Sequence, residues 1–300
     1  MSRMMEITTK IGCKVDCRYC PQRLLYDRYF AEDKERETTL SLEKFKEYAN
    51  KVPKDVQIVF SGFCEPWQNE ACTDMVEYAV RGGWEVDTYS TLRDMKPEDY
   101  YRLRELPIHN FVLHAADKDG NSKIPVTRGY LSLLSEIAED HASGRFKLAS
   151  ISVHGQMHPE VEKILGKLTD VNVLSEIYNR AGNLEADEGI SIAVDREKKG
   201  HISCSKCNGD ELSKNILLPD GTVVMCMMDY GLEYILGNLN TDSYIDIAEG
   251  PKKMEIRRLL RSEKNGKLLC RYCHVAKAAL SYNTGVFTEK TREMIRELLK

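Results

Sequence analysis

The chain has 300 residues, 42% of them hydrophobic, with 43 basic against 47 acidic side chains and a formal net charge of −4. That length buries a sizeable core without covalent staples, and the charge balance lacks the basic excess of a general nucleic-acid binder, so no nucleic-acid partner is expected. No apolar run approaches the roughly 18 residues that cross a bilayer, and Met1-Ser2-Arg3-Met4-Met5-Glu6 lacks a signal peptide's apolar stretch. The expected setting is therefore cytoplasmic, without a membrane partner, where ten cysteines point to metal or chemistry rather than to disulfides.

In chain order, β-prone runs at 4–8, 56–60, 85–90, 110–113, 147–153 and 171–174 alternate with amphipathic stretches at 42–51, 72–80, 97–106, 129–141 and 159–168. Ser41 supplies an N-cap to the first stretch, and Pro97 and Pro159 open two others. Such alternation predicts an α/β fold with six parallel strands and helical crossovers, an open or partial (β/α)6 TIM-like barrel. Residues 183–200 are rich in charge and glycine and read as a connection, so domains are expected at 1–200 and 201–300. Asp220-Gly221 lies between apolar runs within 216–226, a strong hairpin signal. The stretches 252–264 and 288–299 read as charged helices with one buried stripe.

Cys13, Cys17 and Cys20 follow the first strand at spacings of four and three, with Tyr19 just before the last. Three thiolates on one tight loop ligate three irons of a four-iron cluster and leave the fourth iron open. Zinc more commonly takes a Cys-x2-Cys pair with a second pair or with histidines. The loop resembles that of the radical S-adenosylmethionine superfamily. The resemblance implies a partial barrel, a four-iron cluster on these cysteines, and S-adenosylmethionine chelated at the open iron. It also implies reductive cleavage to a 5′-deoxyadenosyl radical, with a flavodoxin- or ferredoxin-type reductant as partner.

After the second strand, Ser61-Gly62-Phe63-Cys64-Glu65-Pro66 resembles the family's Gly-Gly-Glu-Pro segment, with Cys64 where its last glycine usually stands. The resemblance places Tyr19, Gly62, Cys64 and Glu65 at the cofactor, Glu65 as partner of its ammonium through a charge-assisted hydrogen bond. Ser90 and Thr91, ending the third strand, match positions that contact its ribose or carboxylate. Alone, a Glu-Pro pair is a turn or helix start, and a strand-end hydroxyl is packing.

Cys204, Cys207, Cys226, Cys270 and Cys273 follow at spacings of 3, 19, 44 and 3. By itself this set also suits a zinc ribbon. Beside the first loop, the Gly-x4-Cys unit of Gly221 to Cys226, the hairpin and the terminal Cys-x2-Cys resemble a twitch domain, the shorter relative of the SPASM domain. That implies an auxiliary 4Fe-4S cluster on Cys226, Cys270, Cys273 and either Cys207, which the twitch spacing favours, or Cys204. Met225, Met227 and Met228 are expected to pack around it.

Substrate residues are expected at the carboxyl ends of the strands: His114 after the fourth, His154 after the fifth, Tyr178 and Arg180 after the sixth. Asn179-Arg180-Ala181-Gly182-Asn183 resembles a segment whose arginine faces cofactor or substrate in this subgroup. A structural histidine and a surface arginine are the plainer alternatives. The polar stretch 115–123 reads as a solvated loop, with a contact to a polar substrate as the other option. The resemblance extends to 2-deoxy-scyllo-inosamine dehydrogenases, implying oxidation of a secondary alcohol in a sugar, aminocyclitol or similar polyol, with the auxiliary cluster taking an electron. It extends also to neomycin C epimerases, implying hydrogen donation by Cys204, Cys207 or Cys64. Peptide maturation is the third enzymatic option, less expected because the cluster loop starts at residue 13 and leaves no room for an N-terminal recognition domain. A zinc-stabilised interaction protein or electron carrier is the non-enzymatic one.

Overall fold

The computed structural model describes residues 3–168, 171–184, 192–193, 196–204, 213–262 and 267–278. Cys207 and the expected helix 288–299 lie outside them.

Six parallel strands form the centre: β1 (Arg3–Ile7), β2 (Val56–Phe60), β3 (Val86–Ser90), β4 (Asn110–His114), β5 (Ser150–His154) and β6 (Val171–Leu174), adjacent in sequence order. Helices pack against the inner strands, and β2 is buried at all five positions, as a central parallel strand requires, whereas the outer β6 is exposed at three of its four. The crossovers are α2 (Leu42–Ala49), α3 (Cys72–Arg81), α4 (Pro97–Leu103), α5 (Arg128–Ala142) and α6 (Pro159–Leu165), after α1 (Gln22–Tyr29), which precedes α2. Ser41 and Thr127 cap α2 and α5 through backbone N–H groups at 3.1 Å. Their apolar stripes, with Phe45, Met75, Leu103, Leu134 and Leu165, meet Ile58, Phe60, Phe111 and Ile151 in one large core. The parallel α/β architecture expected of a partial (β/α)6 barrel is therefore present.

Several boundaries differ. Helix α1 has no side-chain cap, and Leu25 and Tyr29 are its buried residues, so neither a start signal nor a full apolar stripe marks it. Helices α2, α4 and α6 stop two to three residues short of the expected ends. Strand β5 begins at Ser150, because residues 147–149 are spent joining α5 to the sheet: His141 Nδ1 accepts the Leu148 N–H at 3.1 Å.

Beyond the two-residue strands β7 (Ile177–Tyr178) and β8 (Ile192–Ala193), β9 (Ile202–Cys204) pairs with the late strand β13 (Ala276–Ala278). The hairpin forms as expected from β10 (Lys214–Leu217) and β11 (Thr222–Val224), and β12 (Ile235–Asn238) adds to it. It does not start a new sheet. β10 lies parallel to β1, pairing Met4 with Lys214 and Ile7 with Leu217, so nine strands run β12-β11-β10-β1-β2-β3-β4-β5-β6. Helices α7 (Tyr244–Glu249) and α8 (Pro251–Arg261) follow. A second core of Ile11, Leu25, Tyr29, Phe63, Ile216, Leu218, Val224 and Tyr230 seats α1 and the first cysteine loop against the hairpin.

At the hairpin turn Gly221 takes φ +85°, and a Cβ there would stand 2.7 Å from Asn238 Oδ1 and 2.9 Å from the Tyr48 hydroxyl. Asp220 is clamped by Arg36, whose guanidinium donates to its Oδ2 and to Thr222 while stacking on Tyr29. Arg36→Ala leaves the part-buried Asp220 without that ion pair; the expected loss is about 1–3 kcal/mol, read from the urea midpoint of the apo chain with unchanged circular dichroism.

Candidate active site

The loop between β1 and α1 carries Cys13, Cys17 and Cys20, and two glutamines orient it. Gln22 donates to the Phe63 carbonyl at 2.7 Å and to Cys20 Sγ at 3.2 Å, and accepts the Cys13 N–H at 3.4 Å. Gln68 accepts the Lys14 N–H at 3.0 Å and points its amide at Cys13 Sγ, 3.9 Å away. Cys13 Sγ also accepts the Glu65 N–H at 3.4 Å. Burial drives the Cys13 thiol well up and Cys17 up to about 12. The Arg180 guanidinium pulls Cys17 the other way, but burial prevails and both are neutral thiols; a metal centre deprotonates such thiols outright.

The stretch after β4, expected to be a solvated loop, is exposed at 118–120 and Lys123 and turns Asp117 and Ser122 inward, onto this loop. Asp117 is buried and accepts the N–H groups of Asn121 and Ser122 at 2.8 and 2.7 Å and the Ser122 hydroxyl. The carboxylate satisfies the turn's own inward-facing donors, while residues 118–120 and Lys123 face solvent. Through it the Asn121 carbonyl accepts from Arg18 N and the Ser122 carbonyl from the Cys17 thiol.

Glu65 stands at the entrance to a 3-10 turn after β2 and is buried. It accepts Ser90 Oγ at 2.8 Å, Thr91 N at 2.7 Å, Thr91 Oγ1 at 2.6 Å and Trp67 N at 3.4 Å. Desolvation lifts its pKa to about 7 against those four bonds. The structure thus joins three expected cofactor residues, with Ser90 and Thr91 turned onto Glu65. Gly62 adopts φ +60°, where a Cβ would meet Thr8 Oγ1 at 2.4 Å. Cys64 lies 3.4 Å from Thr9 Oγ1, and burial raises its thiol to about 11.

Four rings stack across the strand ends: Tyr89 on His114 (6.2 Å between centroids), His114 on His154 (6.5 Å) and His154 on Tyr19 (3.9 Å). Ser152 Oγ lies 2.7 Å from His114 Nδ1, whereas buried His154 Nδ1 has no hydrogen-bond partner among the described residues. Burial lowers both imidazoles to about 4. Arg180 reaches over Tyr19, donating to its carbonyl at 3.0 Å, from a backbone at φ +51°. That strained turn, costing about 1–3 kcal/mol, is held by Asn183, which donates to the carbonyls of Arg180 and Met228. Tyr178, expected here, stacks on His274 at 3.9 Å, beside Cys273.

The later cysteines gather at the hairpin's far side. The Cys226 thiol is pushed far up by burial and then by Cys270, with Cys273 also near. Met228 N donates to Cys226 Sγ at 3.4 Å. Buried Arg271 binds the carbonyls of Lys198, Gly200 and Ser262, fixing the turn between Cys270 and Cys273. Cys204 pairs with Ala276 across β9 and β13. Met225 and Met228 are buried as expected, but Met227 is exposed.

Among the described residues, no three Cys, His, Asp or Glu side chains converge on one ion-sized point. Three thiols on one loop, with amide donors aimed at two of the sulfurs, suit a group larger than a single ion, and an iron–sulfur cluster fits that donor set. Residues 211–274 match the SPASM family, an iron–sulfur cluster-binding domain. The whole fold is similar to BtrN in complex with AdoMet and 2-DOIA, at 16% identity and TM-score 0.57 over 93% of this chain and 94% of that one. SuiB of Streptococcus suis bound to S-adenosylmethionine has 12% identity and TM-score 0.57 over 92% and 71% of the two chains. anSMEcpe with bound AdoMet and the Kp18Cys peptide has 13% and 0.52 over 86% and 83%. Residues 211–274 are thus matched to an iron–sulfur cluster-binding domain, and the chain shares the fold of these structures solved with bound AdoMet. No curated protein matches it by sequence.

The SPASM domain also contributes a residue that sequence patterns missed: Tyr230, whose hydroxyl lies 3.2 Å from Cys20 Sγ. Gln22, Gln68 and Tyr89 were likewise unmarked, although each sits within four residues of a motif position. Among the described residues, no helix is long and apolar enough to cross a membrane.

Both stacked imidazoles titrate near pH 4 in the fold against 6.5 for an ordinary histidine. Between those values the unfolded chain binds more protons, so their contribution makes stability rise with pH and is lost as pH falls through the window. His114→Gln/His154→Gln is expected to lose less stability than the parent between pH 6.5 and 4, measured by urea unfolding at stepped pH.

Proposed function

We propose that this chain oxidises a secondary alcohol of a small hydroxyl-bearing substrate, a sugar, aminocyclitol or similar polyol, by radical chemistry. The observation that carries the reading is the row of polar groups at the strand ends, Tyr89, His114, Ser152 and His154, with Arg180 beside it. Residues 1–200 form the radical-generating barrel and 201–300 the cluster domain. Cys13, Cys17 and Cys20 hold one 4Fe-4S cluster; Cys226, Cys270 and Cys273, with Cys207 or Cys204, hold the auxiliary one. When bound, these clusters and S-adenosylmethionine supply hydrogen-atom abstraction and a one-electron acceptor.

The protein's own groups do the rest. Glu65, fixed by Ser90 and Thr91, presents a buried carboxylate to the cofactor's ammonium, and a cation there pulls its pKa back down. His154, neutral at pH 7 and unpartnered at Nδ1, takes the hydroxyl proton as the carbinol carbon loses its hydrogen atom. Arg180 forks onto the oxygen as it gains negative charge. The stacking on Tyr19 and His114 keeps the His154 ring from turning away.

BtrN was solved with 2-DOIA, SuiB with its precursor peptide SuiA and anSMEcpe with a peptide, so relatives of this fold take small molecules and peptides. The coverage of 94% favours the BtrN comparison, since the SuiA-bound SuiB is matched over 67% of its length. For an epimerase, a cluster-free thiol has to reach the strand ends. Cys64 lies beside Thr9 and Cys204 belongs to the β9–β13 pair, while Cys207 lies outside the described residues.

Anaerobically reconstituted protein is expected to hold about eight irons, for two four-iron clusters. With a low-potential donor of the flavodoxin or ferredoxin class, or dithionite, it should form 5′-deoxyadenosine and a ketone in equal amounts from the right polyol. Zinc in place of iron, or 5′-deoxyadenosine without a two-electron product, overturns the reading; deuterium from heavy water on the product carbon turns it to epimerisation. His154→Gln should lower kcat by about 10²-fold or more while substrate-free cleavage of S-adenosylmethionine persists.

A further inference from the structure

Tyr230 is buried in the loop between β11 and β12, four residues after Cys226, yet it serves the other end of the site. Its hydroxyl lies 3.2 Å from Cys20 Sγ, and its ring packs on Phe63 with centroids 4.7 Å apart. The same sulfur receives the Gln22 amide at 3.2 Å, and that amide is held in place by the Phe63 carbonyl. Asp229, accepting the Glu233 and Tyr234 N–H groups at 2.9 and 2.8 Å, fixes the turn that presents Tyr230.

We propose that Tyr230 of the SPASM domain sets the reduction potential of the cluster on the N-terminal loop by donating a hydrogen bond to Cys20. This role rests on the proposed loading of Cys20 with iron. A cluster-bound cysteine is a thiolate and carries no proton, so between these two atoms only the phenol has a hydrogen to give. A donor on a ligand sulfur withdraws charge, and that favours the state with one more electron. The electron itself comes from the external low-potential reductant, and nothing else changes in the couple. Gln22 is a local donor, two residues after Cys20; Tyr230 makes the same bond only when 211–274 is docked. It is therefore a positioning residue that acts through Cys20, and it ties readiness of the first cluster to correct folding of the second domain.

The test is an anaerobic redox titration of the doubly loaded protein followed by electron paramagnetic resonance, the loop cluster being the signal that changes when S-adenosylmethionine is added. Tyr230→Phe keeps the ring on Phe63 and removes the donor. Its expected result is an unchanged iron content and a lower midpoint for the responsive signal. The reduced-to-oxidised ratio at fixed potential should fall by about tenfold, or about 59 mV for one electron, with the auxiliary signal unmoved. 3-Fluorotyrosine at position 230, a stronger donor, should move the midpoint the other way, and it decides the matter if Tyr230→Phe loads poorly. An unchanged midpoint in both, or equal shifts of both clusters, overturns the proposal. A parent protein with no signal responding to S-adenosylmethionine overturns instead the functional reading beneath it.

Discussion

A thiol buried in protein resists ionisation, and the surroundings of residues 13–20 are organised around that resistance. Desolvation holds Cys13 and Cys17 in the neutral form. Against it the fold sets amide N–H groups from Glu65, Gln68 and Gln22, the phenol of Tyr230, and the Arg180 guanidinium close by. These groups come from four separate stretches of chain, so the loop acquires these donors only when β2, the turn after β7 and the β11–β12 loop have all arrived. The Asp117 turn then closes the remaining side, with backbone carbonyls on Arg18 and Cys17.

Glu65 shows a second balance of the same kind. Four donors converge on it, yet burial leaves the carboxylate close to half-protonated at neutral pH. A wholly satisfied carboxylate that still sits so high is short of positive charge rather than of hydrogen bonds. The ammonium assigned to it in the proposed function is a charge of that sign.

What was legible in the sequence was local. Alternating apolar periodicity located all six central strands, Ser41 marked the start of α2, and Asp220-Gly221 marked the hairpin. Cys13, Cys17, Cys20 and Glu65 carry spacing signals that need no tertiary information. What stayed hidden depends on distance along the chain. Cys20 and Tyr230 are 210 residues apart, and no periodicity connects them. Within 115–123, residues 118–120 and Lys123 face water as the polar composition suggests, but Asp117 turns inward and takes the turn's donors, and composition cannot tell one from the other. Tyr178 followed the right strand and turned the other way, onto His274, because it belongs to the two-residue strand β7, which pairs with β8 rather than with the barrel.

The parallel pairing of β10 with β1 bears on how the two halves can be separated. In a free-standing barrel β1 would be an edge, a row of open backbone donors and acceptors that invites other chains to pair. Here Lys214 to Leu217 cover that row along the strand that leads straight into the cysteine loop. The SPASM portion is thus the missing neighbour of the barrel's first strand as well as its companion in chemistry. A cut near residue 200 divides the sequence where its composition changes, but it leaves the barrel adhesive along its oldest side in chain order.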